Sequence, residues 1–113
     1  MDARALADVL QERAATGRPY LEFARSRSLS VGLYVLRAGE VDRQQPHLKD
    51  EVYVVMRGHS HFTAADDVRD VNPGDVIFVA AGVPHRFHDI TEDLELIVVF
   101  APPETAPGDT AAG

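Results

Sequence analysis

Gly39-Glu40-Val41-Asp42-Arg43-Gln44-Gln45-Pro46-His47-Leu48-Lys49-Asp50-Glu51 leads into the run Val52-Tyr53-Val54-Val55-Met56, which Gly58 is expected to end. The run is rich in β-branched residues and continuous, the mark of a buried strand. Further on, Gly74-Asp75-Val76-Ile77-Phe78-Val79-Ala80-Ala81-Gly82-Val83-Pro84-His85-Arg86-Phe87-His88-Asp89 sets another short apolar strand before a Gly-Val-Pro turn and a histidine. Around these stretches lie more short strands, at Tyr20–Phe23, Leu29–Leu36, Ser60–Ala64, Val68–Val71 and Leu94–Phe100. Ala65-Asp66-Asp67 and Asn72-Pro73-Gly74-Asp75 supply the turns between them. Many short strands punctuated by turns predict an all-β antiparallel barrel or sandwich.

The N-terminus reads differently. Leu6, Val9, Leu10 and Ala14 fall on one stripe at helical spacing, which predicts a helix over residues 2–16 with Asp2 as its cap. Gly17 suits the left-handed position after the last turn, and Pro19 forbids continuation. The strand Leu29–Leu36 is apolar on both faces in its second half. One face is expected to meet the barrel interior, and the other the helix or a second subunit.

The first quoted stretch resembles the first motif of the cupin superfamily, with Gly39, His47, Glu51 and Gly58 in register. The second resembles the second cupin motif through Gly74, Gly82 and His85, with Ala80 and Asp89 replacing its proline and asparagine. The resemblance covers residues 39–89. It implies a double-stranded β-helix, or jelly-roll barrel, with one N-terminal α-helix. The expected organisation is a helix within residues 1–18 packing on a cupin barrel of residues 19–103, followed by a disordered tail of residues 104–113.

His47 and Glu51 lie four apart where a strand begins, and His85 follows a tight turn. Two imidazoles and a carboxylate suit a borderline divalent ion. With other positions open, that set belongs to non-haem Fe(II) oxygenases, and zinc with a bound water is equally buildable. In the family, the matching residues are metal ligands projecting into the barrel. The resemblance therefore implies one divalent ion (Fe, Zn, Mn or Ni) on His47, Glu51 and His85. Gln45 stands where the family has its first histidine. It offers only a neutral carbonyl oxygen, as a further ligand or as a partner for a bound water or substrate.

Tyr53 shares strand parity with Glu51, and Phe87 shares a face with His85. Together with Tyr34, and with His88 at the rim, they are the candidate substrate pocket. Parity would also place Lys49 beside the metal, so a turn across Leu48-Lys49-Asp50 is expected to throw it outward. His59 and His61 alternate with the core residue Phe62 and are expected to face solvent.

The 113-residue chain fits one domain and one modest core. It has no cysteine, which excludes disulfides, thiolate metal sites and cysteine nucleophiles. Its formal charge of −7 disfavours nucleic acid and anionic membrane as partners. No secretory signal opens the chain, so a cytoplasmic location is expected. The function these features imply is metal-dependent chemistry on a small organic acid or carbonyl compound, with a dioxygenase as first reading. Isomerase, lyase or cyclase chemistry, and non-catalytic binding of a sugar or effector, are the alternatives. A homodimer is expected from the two-sided strand.

Overall fold

The structure is a computed structural model that describes residues 1–43 and 48–103. Its element order is one helix and then strands: α1 (Leu6–Thr16), β1 (Tyr20–Arg25), β2 (Ser30–Leu36), β3 (Asp50–Ala64), β4 (Asp67–Val71), β5 (Val76–Val79) and β6 (His85–Ala101). The strands form one antiparallel sheet in the order β1-β2-β6-β3-β4, with β5 pairing the first half of β3 and β4 its second half, both on the edge opposite β6. This is the expected all-β antiparallel barrel with one N-terminal helix.

The two long strands make the wall. The first half of β3 pairs with the second half of β6, and its second half with the start of β6. Gly58 does not end the strand as the sequence suggests. It sits at φ +101° within three register shifts between Val55 and His61, where β3 bends but keeps pairing. A bulge of this kind changes which face a side chain takes. Glu51, Tyr53 and Val55 point inward before it, and Ser60 and Phe62 after it. On β6, Asp89 at φ +49° does the same between Phe87 and Ile90. One continuous core results, from Tyr34 and Leu36 through Tyr53, Phe62 and Phe87 to Leu96, Val98 and Phe100.

Helix α1 begins at Leu6 rather than near Asp2. Ala5 holds the N-cap position in extended conformation with no side-chain cap, and Arg4 pairs with Glu12. Its end is as expected, with Gly17 in the left-handed conformation at φ +70°. Only Val9 of the apolar stripe is fully buried. α1 packs on β1 and β2, and Leu33, which faces away from the barrel core, is fully buried.

Outside the barrel, the register aligns two apolar rows across four strands. Val31, Val99, Val52 and Phe78 form one row, and Leu33, Ile97, Val54 and Val76 the other. Phe78 and Val76 are each 64% exposed at the end furthest from α1. No helix among the described residues is long and apolar enough to cross a membrane.

Candidate functional site

Strand parity and one side-chain latch bring the two sequence motifs together. Glu51 is the second residue of β3, opposite Val79 of β5. From Val79 the chain turns through Ala80–Pro84, closed by the Val83 N–H donating to the Ala80 carbonyl at 3.2 Å. Asp50 Oδ1 accepts the Ala81 N–H at 2.9 Å, tying this turn to the start of β3. His85 then opens β6 with its ring directed inward.

The result is a buried pair. His85 Nε2 lies 2.9 Å from Glu51 Oε1, with side-chain exposures of 3% and 0%. The other ring nitrogen, Nδ1, lies 2.8 Å from the Val83 carbonyl oxygen. A carbonyl only accepts, so Nδ1 carries a proton and donates it there. In the neutral imidazole this leaves Nε2 with a lone pair facing a carboxylate. A cation between them satisfies both at once, either as a second proton on the ring or as a metal ion. The donor set therefore fits a divalent ion, with one imidazole and one carboxylate already converging and oriented by a backbone carbonyl.

Tyr53 completes the described part of the site. Its hydroxyl lies 3.1 Å from His85 Nε2, and its ring packs edge-on against Phe87 and Phe62. Phe87 is 1% exposed, its ring tilted against that of Phe62 with centroids 4.6 Å apart. Tyr34 is buried as well and donates to Asp42 Oδ1 at 2.6 Å. Burial first, and the Asp42 carboxylate second, hold the Tyr34 phenol far above the usual range. The charge of Glu51 acts in the same direction, so Tyr34 and the buried pair share one electrostatic interior.

Asp42 was not among the residues singled out from sequence. It is 4% exposed, and its second oxygen accepts the Phe87 N–H at 2.9 Å. It thereby fastens the loop after β2, part of the first motif, to β2 itself and to β6 in the second motif. An acid in a polar loop has no periodicity to betray it. A groove of about 300 Å³ runs beside it, lined by Gly39–Asp42 and Arg86–Ile90.

His88 faces the other way from His85 and Phe87. Its ring is on the outer surface, with Nε2 2.7 Å from Thr63 Oγ1, because the bulge at Asp89 follows it rather than precedes it. Lys49 corrects an expectation. It is buried, at 8% exposure, while Leu48 is 88% exposed. Lys49 lies in a bend just before β3, two residues from the buried Glu51. His61 is exposed, and His59 is partly so. Gln45 and His47 lie outside the described residues.

The profile of a family described as "Cupin domain" matches residues 32–100. An uncharacterised protein of Streptomyces coelicolor is 49% identical over 105 residues, covering 93% of this chain and all of that one. Among solved structures, a Bacillus halodurans protein superposes with a TM-score of 0.77 at 18% identity, covering 94% of this chain and 85% of that one. The DMSP lyase DddQ of Ruegeria pomeroyi superposes with a TM-score of 0.63 at 25% identity, over 67% of this chain and 39% of that one.

Proposed function

Because this chain belongs to the cupin family, we propose that it is a metal-dependent enzyme acting on a small organic acid or carbonyl compound inside the barrel. The observation that carries the reading is the Glu51–His85 pair, a buried carboxylate and a buried imidazole 2.9 Å apart. Glu51 and His85 would hold a divalent ion, with His47 as third ligand and Gln45 beside it. Bound there, the ion would polarise an oxygen of the substrate.

The chain's own groups supply the rest. Val83 fixes the His85 ring through Nδ1. The Tyr53 hydroxyl, 3.1 Å from His85 Nε2, stands where it can give or take a proton. That favours lyase or isomerase chemistry, which moves protons, over the dioxygenase reading. The lyase named among the similar structures points the same way. Phe62 and Phe87 keep water from the site.

A second reading is favoured by Lys49. It is buried two residues before Glu51, and on this reading its charge would hold an anion without a metal. On that reading the barrel binds a small anionic ligand and turns nothing over.

The partner proposed for the outer sheet face is a second copy of this chain. Its two apolar rows lie flat across β2, β6, β3 and β5. Such a face is self-complementary about a two-fold axis and packs sheet against sheet.

Metal analysis of the purified protein tests the main reading. The wild type is expected to carry one divalent ion more than Glu51→Ala or His85→Ala. Unchanged stoichiometry in both variants overturns it. With the metal present, product formed from small carboxylic acids without oxygen uptake supports the lyase form. Oxygen uptake restores the dioxygenase. Ligand-induced stabilisation without product, whatever metal is added, establishes the second reading.

A further inference from the structure

On the outside of the barrel a second set of metal-ligating groups converges, and no residue of the interior site takes part in it. His61 of β3 lies opposite His88 of β6 and, on its other side, opposite Asp70 of β4. Asp89 follows at φ +49°. Its Oδ2 lies 2.8 Å from His88 Nδ1 and 3.3 Å from His61 Nδ1. One ligand atom each from His61, His88 and Asp89 lies within 4.8 Å of the others.

From this geometry we infer that His61, His88 and Asp89 form a binding site for a late transition-metal dication such as Zn²⁺ on the outer face of the barrel.

The outer nitrogens of both rings are already engaged. His61 Nε2 lies 2.9 Å from Asp70 Oδ1, and His88 Nε2 lies 2.7 Å from Thr63 Oγ1. A carboxylate only accepts, so the His61 Nε2–H donates to Asp70. That tautomer leaves Nδ1 with its lone pair directed at Asp89. A ring whose far N–H is held by a carboxylate or hydroxyl is the support that histidine ligands use in metal sites. The spacings fit as well. With metal–ligand bonds of about 2.05 Å, neighbouring ligands of a tetrahedral site stand about 3.3 Å apart, and cis ligands at a right angle about 2.9 Å. Two imidazoles and one carboxylate are a set that late transition metals prefer over Mg²⁺ or Ca²⁺. A cleft of about 250 Å³ beside His61, Asp70 and Asp89 leaves room for water in the remaining positions. With a proton on the ring nitrogens that face it, contacts from His88 first and His61 second hold the Asp89 carboxyl below its ordinary value, and a metal ion taking the proton's place would favour the carboxylate in the same sense.

The competing occupant of this point is a proton shared between the rings and Asp89. Zn²⁺ titration of the full chain by calorimetry, at neutral pH, separates the two. His61→Gln/His88→Gln and Asp89→Asn change only the outer surface, so uptake by Glu51 and His85 inside the barrel is common to every protein compared. The wild type is expected to take up one equivalent more than the double variant. Asp89→Asn is expected to weaken that equivalent at least tenfold. In the wild type Zn²⁺ should also move the ring ¹⁵N signals of His61 and His88. Equal uptake by wild type and double variant, or ring signals that do not respond to Zn²⁺, overturns the inference.

Discussion

Tyr34 and Asp42 meet inside the barrel across 2.6 Å, phenol donating to carboxylate, and the same carboxylate takes the backbone N–H of Phe87. One side chain from a loop thus joins β2 to β6 beside the buried Glu51–His85 pair. Hydrogen bonds to a charged group contribute about 1.5–3 kcal/mol each, and a buried donor left without its partner costs about 1–3 kcal/mol. Asp42→Ala is therefore expected to destabilise the fold by roughly 3–5 kcal/mol. Asp42→Asn, which keeps an acceptor, should cost clearly less. Urea denaturation of the three proteins checks both the size and the order.

The Tyr34 hydroxyl links stability to alkaline pH. In the unfolded chain it ionises near 10.0, whereas burial and then Asp42 raise the folded value far above that. The advantage is whole below pH 10 and declines as pH climbs past it, by up to about 1.4 kcal/mol per pH unit for one such group. Thermal unfolding followed from pH 8 to 11 should show that fall. Tyr34→Phe should make it shallower while lowering stability at neutral pH. An alkaline limb unchanged by the substitution would show that the proton lost belongs to other groups.

Gly58 and Gly32 are both crowded, for different reasons. A Cβ at Gly58 would lie 2.3 Å from the Asp93 carbonyl oxygen, on a backbone at φ +101°. Neither the backbone atom nor the conformation can yield cheaply. At Gly32 the obstacle is the far end of the Tyr20 side chain, 2.2 Å away. Gly58→Ala is expected to cost more than about 4 kcal/mol, or to prevent folding. Gly32→Ala should cost less, and Tyr20→Phe should recover part of it. Denaturation midpoints of the single and double variants decide.

The outer apolar rows predict an assembly that one charge disperses. Phe78 is 64% exposed at the open end of its row. In sedimentation at tens of micromolar, an order-of-magnitude range for a stable interface, the wild type is expected to run as a dimer. Phe78→Lys is expected to run as a folded monomer. A wild-type monomer under those conditions rules out the second copy as partner.

The barrel was legible because its signals are local. Turn residues and β-branched runs marked each strand near its true place, and motif spacing tied residues 39–58 to 74–89. What sequence could not supply was the behaviour of the chain at its two bulges. Gly58 looked like a terminator because glycine ends strands more often than it bends them. Bulges at Gly58 and Asp89 decide which of Ser60, His61, His88 and Ile90 face inward, and no periodicity survives such a shift. Lys49 is buried in a bend where the charge argument predicts an outward turn, because tertiary packing, which no local spacing encodes, decides its burial. Asp42 went unseen because its partners, Tyr34 and the Phe87 N–H, are distant in sequence.

Helix α1 rests on the barrel through a single fully buried side chain, Val9, with no side-chain cap at its start. None of the barrel's own strand pairing depends on it. The N-terminal segment can therefore peel away while the β-structure stays shut, a partial opening far cheaper than unfolding the whole. Amide protons of residues 6–16 should then trade with solvent long before those of β3 and β6. Each such excursion would briefly bare Leu33, lengthening the greasy outer surface by one more position.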